Sequence, residues 1–263
     1  MEKLRIQKYL SDVGIASRRA AEEMVIEGRI TVNGQPVAAL PCFVDPQADR
    51  IVVDGRVVKP RRTENVYFLL NKPRGAVCTQ SDPQGRRKAV DLVPALPGTR
   101  VYCVGRLDVE STGVLLLTND GELTQYLTHP RYGVPKTYVV EIDGVLSPEQ
   151  VDRLKHGVYL NGKRTGATAV KVLRKGREGS MLEITLSEGR NREIRRVLLQ
   201  FQLKVRRLKR VAIGPLTDRG LKIGNFRALR PAEINQLRRS GSAPMPKPGK
   251  PARRNPPRPR RRK

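Results

Sequence analysis

Three patterns of hydrophobic and polar positions follow one another along the chain. Near the start, Leu4, Ile6, Tyr9 and Leu10 predict a short helix, Gly14 breaks it, and Ser17 stands where it can cap a second helix running to about Glu27. Gly28 ends that helix. Ile30-Thr31-Val32-Asn33-Gly34-Gln35-Pro36-Val37 then reads as a hairpin, because an Asn-Gly pair supplies the positive φ angles of a tight turn, and residues 51–58 repeat the pattern around Asp54-Gly55. Pro60-Arg61-Arg62-Thr63-Glu64 is polar, breaks both patterns and predicts a linker.

Beyond the linker, strand-like runs recur at residues 66–71, 113–118, 137–142 and 181–186, interleaved with helical stretches. Ser147-Pro148-Glu149-Gln150 combines a capping residue, proline at the first helical position and Gln at the third, which marks a helix start. A further helix over about 191–201 carries Ile194, Val197, Leu198 and Phe201 on one stripe and Arg192, Arg195 and Arg196 on the next. The order of elements lacks the regular alternation of a doubly wound parallel sheet, so a mixed or antiparallel sheet with helices packed on it is expected. From residue 240 the pattern vanishes, with seven prolines, nine basic residues and no acidic ones. Such a segment has no apolar face to bury and is expected to be disordered. The expectation is an α+β protein: a small helix-hairpin domain over 1–62, a mixed or antiparallel-sheet domain over 66–239, and a tail over 240–263.

Charge sharpens this picture. The chain has 52 Lys and Arg against 25 Asp and Glu, a formal +27, which points to a polyanionic partner. The excess is uneven: residues 1–60 hold 9 basic and 8 acidic groups, 61–239 hold 34 and 17, and 240–263 hold 9 and none. A hydrophobic content of 38% is enough for a core, while the longest apolar runs fall far short of the roughly 20 residues that cross a bilayer. The N-terminus has no apolar signal-peptide core, so the cytoplasm is the expected location and no membrane partner is expected. Cys42, Cys78 and Cys103 are far apart and the only histidines are His129 and His156, so no metal site is expected and the cysteines are assigned to packing.

The densest cluster of chemistry-bearing residues is Gly105-Arg106-Leu107-Asp108-Val109-Glu110-Ser111-Thr112-Gly113, which runs into the apolar stretch 114–117 and then Thr118-Asn119-Asp120-Gly121-Glu122-Leu123. A loop bounded by glycines and entering a buried strand can hold one carboxylate at a cleft, although an Asp in such a loop is also a common turn or cap residue. The whole string GRLDVESTGVLLLTNDGEL resembles the catalytic motif of the RsuA-type bacterial rRNA pseudouridine synthases. YFLLNKPRG at 67–75, SDPQGRRKAVDLVP at 81–94, HPRYGVPKTYVV at 129–140 and EGRNREIRRVL at 188–198 extend the resemblance in order, over residues 1–235. Residues 8–37 resemble the small RNA-binding module of ribosomal protein S-four, and EGRNREIRR is closest to the RluB-like, large-subunit branch.

The resemblance implies isomerisation of a uridine to pseudouridine in ribosomal RNA, most specifically large-subunit (23S) rRNA, with no redox cofactor and no metal. It gives Asp108 as the essential carboxylate, acting either on the anomeric carbon or on the neighbouring 2′ proton. A carboxylate in a closed pocket tends to protonate through desolvation, and a nearby guanidinium opposes this. Arg195 takes that role by resemblance, Ile194 lines the pocket, and Tyr138 stacks on the flipped base. On residue type alone, Tyr138 in an alternating strand reads first as core, and Arg192, Arg195 and Arg196 read equally as a basic face for phosphates or solvent. Arg106 is expected to fill the gap left by the flipped nucleotide or to hold a phosphate, the alternative being an ion pair with Glu110. Arg5, Lys8, Arg18, Arg19 and Arg29 are the candidate RNA face of the first domain. The family suggests a monomer acting on free rRNA or an assembly intermediate. The rival reading is a non-catalytic RNA-binding or ribosome-assembly protein, which would have no use for Asp108, Tyr138 and Arg195 together. Binding to DNA without RNA chemistry is a more distant third.

Overall fold

The computed structural model describes residues 3–59, 64–176, 179–190, 192–243 and 245. Two compact units divide the chain, one holding Met1–Arg62 and the other spanning Thr63–Met245. Of the expected linker only Glu64 falls within the described residues.

The first unit contains β1 (Leu4–Arg5), α1 (Ile6–Asp12), α2 (Arg18–Ile26), β2 (Ile30–Val32), β3 (Gln35–Pro36), β4 (Phe43–Val44), β5 (Ile51–Val53) and β6 (Arg56–Val57). Leu4 departs from the expected helix: Leu4 and Arg5 pair antiparallel with Val44 and Phe43, so the helix begins at Ile6. A partner that distant in sequence leaves no trace in local spacing. Ser17 caps α2 as expected, its Oγ accepting from the Ala20 amide at 3.1 Å. Both hairpins turn on adjacent positive φ angles, 53° and 84° at Asn33-Gly34 and 49° and 74° at Asp54-Gly55. Ile6, Leu10, Ala21, Val25, Ile30, Val44 and Ile51 form the buried centre.

The second unit runs β7 (Tyr67–Lys72), β8 (Tyr102–Cys103), β9 (Thr112–Thr118), α3 (Gly121–Thr128), β10 (Lys136–Ile142), α4 (Pro148–His156), β11 (Val158–Leu160), β12 (Lys163–Thr165), β13 (Ala169–Gly176), β14 (Gly179–Leu186), α5 (Glu193–Gln200), β15 (Val205–Ile213), β16 (Leu216–Thr217), β17 (Phe226–Ala228) and α6 (Pro231–Leu237). Among the described residues a nine-stranded sheet has the spine β13-β14-β10-β15-β9-β7-β17, with β8 added to β9 and β16 to β15. Every pairing is antiparallel except β15 with β9, where Lys209 and Arg210 lie opposite Thr112 and Gly113. The sheet is mixed, one of the two arrangements that the element order leaves open.

The unbroken apolar run of β9 follows from burial on both faces. Leu115 and Leu117 enter one core, Val114 and Leu116 the other. On β14 buried and half-buried residues alternate instead, the signature of a sheet with one covered face. α4 has the full capping box at Ser147 and Gln150. At the start of α3, Asp120 accepts from the Leu123 amide at 2.9 Å, from Tyr67 Oη at 2.8 Å and from Arg238 at 3.2 Å. The NDGEL end of the long motif is therefore a helix cap.

Two further boundaries, both in the second unit, differ from the sequence expectation. α5 starts at Glu193, because Arg192 adopts a left-handed conformation (φ 49°) just before it, and Asn191 lies outside the described residues. The second unit also stays packed beyond residue 240. The Gly241 amide donates to Tyr126 Oη and that of Ser242 to the Tyr132 carbonyl, both at 2.8 Å, while Ala243 and Met245 pack on the core. A Cβ on Gly241 would lie 2.4 Å from the Tyr132 carbonyl oxygen, so this close approach needs glycine. Composition registers the proline and arginine content but not these few backbone contacts. The remainder of the expected tail lies outside the described residues.

Candidate active site

Asp108 sits on the loop between β8 and β9, and neighbours on every side fix that loop. The Gly75 amide donates to the Val109 carbonyl at 2.8 Å, the Ser111 amide to the Asp108 carbonyl at 3.0 Å, and the Leu107 amide to Cys78 Sγ at 3.4 Å. Beneath it lies Lys72, fully buried, whose ammonium donates to the carbonyls of Pro73 and Ser111 at 2.9 Å each. Burial lowers the pKa of Lys72, which the nearby Cys78 and Asp108 partly offset. The Cys103 thiol donates to Cys78, and with the Leu107 amide, Lys72 and Arg210 close by, the Cys78 thiol is pushed down and that of Cys103 up. All three cysteines are free; Cys78 and Cys103 pack against the main core and Cys42 against that of the first unit.

Two hollows meet at this loop. The inner cavity, about 120 Å³, lies over the sheet between the loop, the end of α3 and the start of α5. Arg106, Asp108, Tyr138, Arg192 and Ile194 all line it, so five residues singled out by sequence converge from three separate chain segments. The outer cleft, about 540 Å³, shares Arg106, Asp108 and Arg192 with the cavity and adds Arg86 and Glu110. Asp108 is thus the carboxylate at their junction, with its side chain 28% exposed.

Two guanidinium groups face that carboxylate. Arg192 Nη1 lies 3.7 Å and Arg195 Nε 3.9 Å from Asp108 Oδ2, which is ion-pair rather than hydrogen-bond distance. Arg195 is anchored by a 3.1 Å bond from Nη1 to the Val205 carbonyl, while its buried Nε has no hydrogen-bond partner among the described residues. Burial and then the Arg192 charge lower the pKa of Arg195, and Glu110 and Asp108 act in the opposite sense.

Other expected residues occupy different positions. Arg196 turns away from the cavity and donates to Asn161 Oδ1 at 2.6 Å. Arg106 is exposed at the cavity mouth. In the first unit Arg5, Arg18 and Arg19 are exposed, whereas Lys8 pairs with Asp12 at 2.7 Å and Arg29 is held by both Asp54 oxygens at 2.7 Å and by Glu27 at 2.9 Å.

Sequence reasoning passed over four groups that the fold brings to the site. Glu193 is buried and accepts from Thr165 and from the Arg190 amide at 2.8 Å, which fixes the start of α5; burial pushes its carboxyl up. Lys136 lines the cavity beside Tyr138, and burial, reinforced by Arg210, pushes its ammonium down to about 8. Ser111 and Arg210 line the same cavity and are almost wholly buried. The neighbouring KTYVV, NREIR and STG segments were the available signal for Lys136, Glu193 and Ser111; Arg210 had none.

Residues 66–200, just over half of the chain, match the family profile of RNA pseudouridylate synthase. The chain belongs to that family. It is therefore an isomerase that converts uridine to pseudouridine in RNA. Residues 4–39 match the profile of the S4 domain, an RNA-binding module that stands in front of the synthase fold. Relatives include the ribosomal large subunit pseudouridine synthase B of Bacillus subtilis, 41% identical over 89% of this chain and 95% of that protein. An uncharacterized RNA pseudouridine synthase of Aquifex aeolicus is 41% identical over 90% of this chain and 94% of its own. A pseudouridylate synthase crystal structure superposes with a TM-score of 0.63 at 27% identity, over 89% of this chain and 99% of that one. No helix of the described residues is long and apolar enough to cross a membrane.

Proposed function

We propose that this pseudouridine synthase acts in the cytoplasm, as a monomer, on a specific uridine of large-subunit (23S) ribosomal RNA, either free or in an assembly intermediate, with Asp108 as its essential carboxylate. The observation that carries the reading is the junction at Asp108: one carboxylate between a cavity walled by Tyr138 and Ile194 and a cleft lined by arginines. The names of the Bacillus subtilis relative and of the Pseudomonas aeruginosa ribosomal large subunit pseudouridine synthase B, 40% identical over 93% of this chain, support large-subunit RNA. In the latter comparison this chain spans 64% of the relative's length.

The chemistry asks little beyond these side chains. The target base leaves its stack and enters the cavity, where the Tyr138 ring replaces part of the lost stacking. Asp108 acts on the ribose, with Arg195 and Arg192 holding negative charge beside it as the glycosidic bond breaks. Arg106, at the mouth, is placed to occupy the vacated position in the RNA or to hold a phosphate. Arg5, Arg18 and Arg19 of the first unit are exposed candidates for RNA backbone contact, while Lys8 and Arg29 also pair with carboxylates of their own module.

Chromatographic mapping of pseudouridine in rRNA, from cells with and without the gene, is expected to lose one position in the large subunit; an unchanged map would overturn the reading. Tyr138→Phe is expected to stay within about threefold of the wild-type rate, whereas Tyr138→Ala loses about tenfold to a hundredfold, the scale of one base-aromatic stack. Single-turnover rates on deproteinised rRNA check this, and equal rates for the two variants would rule out stacking.

A further inference from the structure

Arg210 is the least accessible cation lining the inner cavity, with 3% of its surface exposed. Its Nε donates to the Val114 carbonyl at 2.7 Å, which pins the guanidinium plane against β9. Its Nη2 is buried and has no hydrogen-bond partner among the described residues. A buried donor left unpaired costs free energy, and evolved proteins keep such groups where a ligand completes them. Ser111 Oγ, in the same cavity wall, is the second polar atom left in this state.

Register says what meets Arg210. Tyr138 on β10 lies directly opposite Arg210 on β15, so the two side chains leave the sheet on the same face as a cross-strand pair. A base stacked on the Tyr138 ring would present its edge to Arg210. A guanidinium only donates, and a uracil edge offers two acceptors, the carbonyl oxygens O2 and O4. Phosphates belong to the RNA backbone and suit the exposed arginines of the outer cleft better than a group this deeply enclosed.

Resting on the functional reading above, we infer that Arg210 donates through Nη2 to a carbonyl oxygen of the flipped uracil and stabilises the base as it leaves the ribose as an anion. When the N1–C1′ bond breaks, its electron pair stays with the uracil, and the charge spreads from N1 onto O2 and O4. The charge is consumed when C5 bonds to C1′; C5 then releases its proton and N1 takes one up. Nothing is oxidised or reduced, and no co-reactant enters. A fixed buried donor aimed where charge develops is the arrangement that lowers such a barrier most. Lys136, two residues before Tyr138 on the same face, adds a second positive group to the cavity.

The test uses the full chain and transcripts of bacterial large-subunit rRNA made with uridine, 2-thiouridine or 4-thiouridine, since sulfur is a weaker acceptor than oxygen. Arg210→Met is expected to lower kcat about a hundredfold, the effect of removing one such donor, with little change in KM. Arg210→Lys, which keeps the charge without the fork, is expected to fall between the two. Wild type is expected to be slowed about tenfold or more by one of the two thio substitutions, and Arg210→Met by neither relative to its own uridine rate. A purely structural role for Arg210 would slow all three substrates by one common factor, and that result would overturn the inference. So would a wild type indifferent to both sulfur substitutions. If Arg210→Met does not fold, as read by thermal melting, the thio discrimination of Arg210→Lys decides: discrimination equal to wild type overturns the inference, and reduced discrimination supports it. A wild type that converts no uridine at all would instead remove the functional reading itself.

Discussion

Asp108→Asn is expected to lower turnover by at least about a thousandfold while leaving RNA affinity close to wild type. Asparagine keeps the size of the side chain and its loop position, so the anchors at Gly75, Ser111 and Lys72, which all engage backbone atoms, stay in place. What disappears is the negative oxygen that faces Arg192 and Arg195. A neutral amide can neither attack the anomeric carbon nor remove a neighbouring proton, so the loss is expected under either route. The exposed arginines of the outer cleft and the S4 domain are untouched, which is why binding and turnover should separate. Single-turnover conversion and filter binding on the same rRNA measure both. Residual turnover above a tenth of wild type would show that another group carries the chemistry.

Gly113→Ala is expected to destabilise the protein by about 3 to 5 kcal/mol, from backbone strain together with steric overlap. Gly113 has φ +107°, outside the range of ordinary side chains, and a Cβ there would lie 2.1 Å from the Arg210 carbonyl oxygen. That oxygen is main chain, so no rotamer change relieves the clash; β9 and β15 must separate at their only parallel pairing. The same shift would move Arg210 and the loop that carries Asp108, so activity should fall with stability. Urea unfolding followed by circular dichroism measures the cost. A change below 1 kcal/mol, with activity retained, would mean that the two strands yield more readily than their spacing implies.

Much of this molecule was legible before any fold was known. Ser17, Ser147, Asn33-Gly34 and Asp54-Gly55 act locally, through side chains and φ preferences that need no distant partner, and each does in the structure what its position suggests. The candidate site was legible in part, because Asp108, Tyr138, Arg192 and Ile194, which line one cavity, lie in strings long enough to resemble a known family. The misses share one cause. Leu4 joined a strand because of Val44, and Gly241 stayed packed because of Tyr126.

The amino-acid sequence by itself determined the capped helix starts, the hairpin turns and the family resemblance, since periodicity, capping and turn chemistry are properties of neighbouring residues. Only the tertiary structure decided which cations surround Asp108 and which are spent elsewhere. It set Arg195 at ion-pair distance and turned Arg196 toward Asn161, although the two are adjacent on one helix. It placed Arg210 opposite Tyr138 from a strand more than seventy residues away, as the register of the two strands records. Strand register depends on the whole sheet, so no local pattern could have announced that pairing.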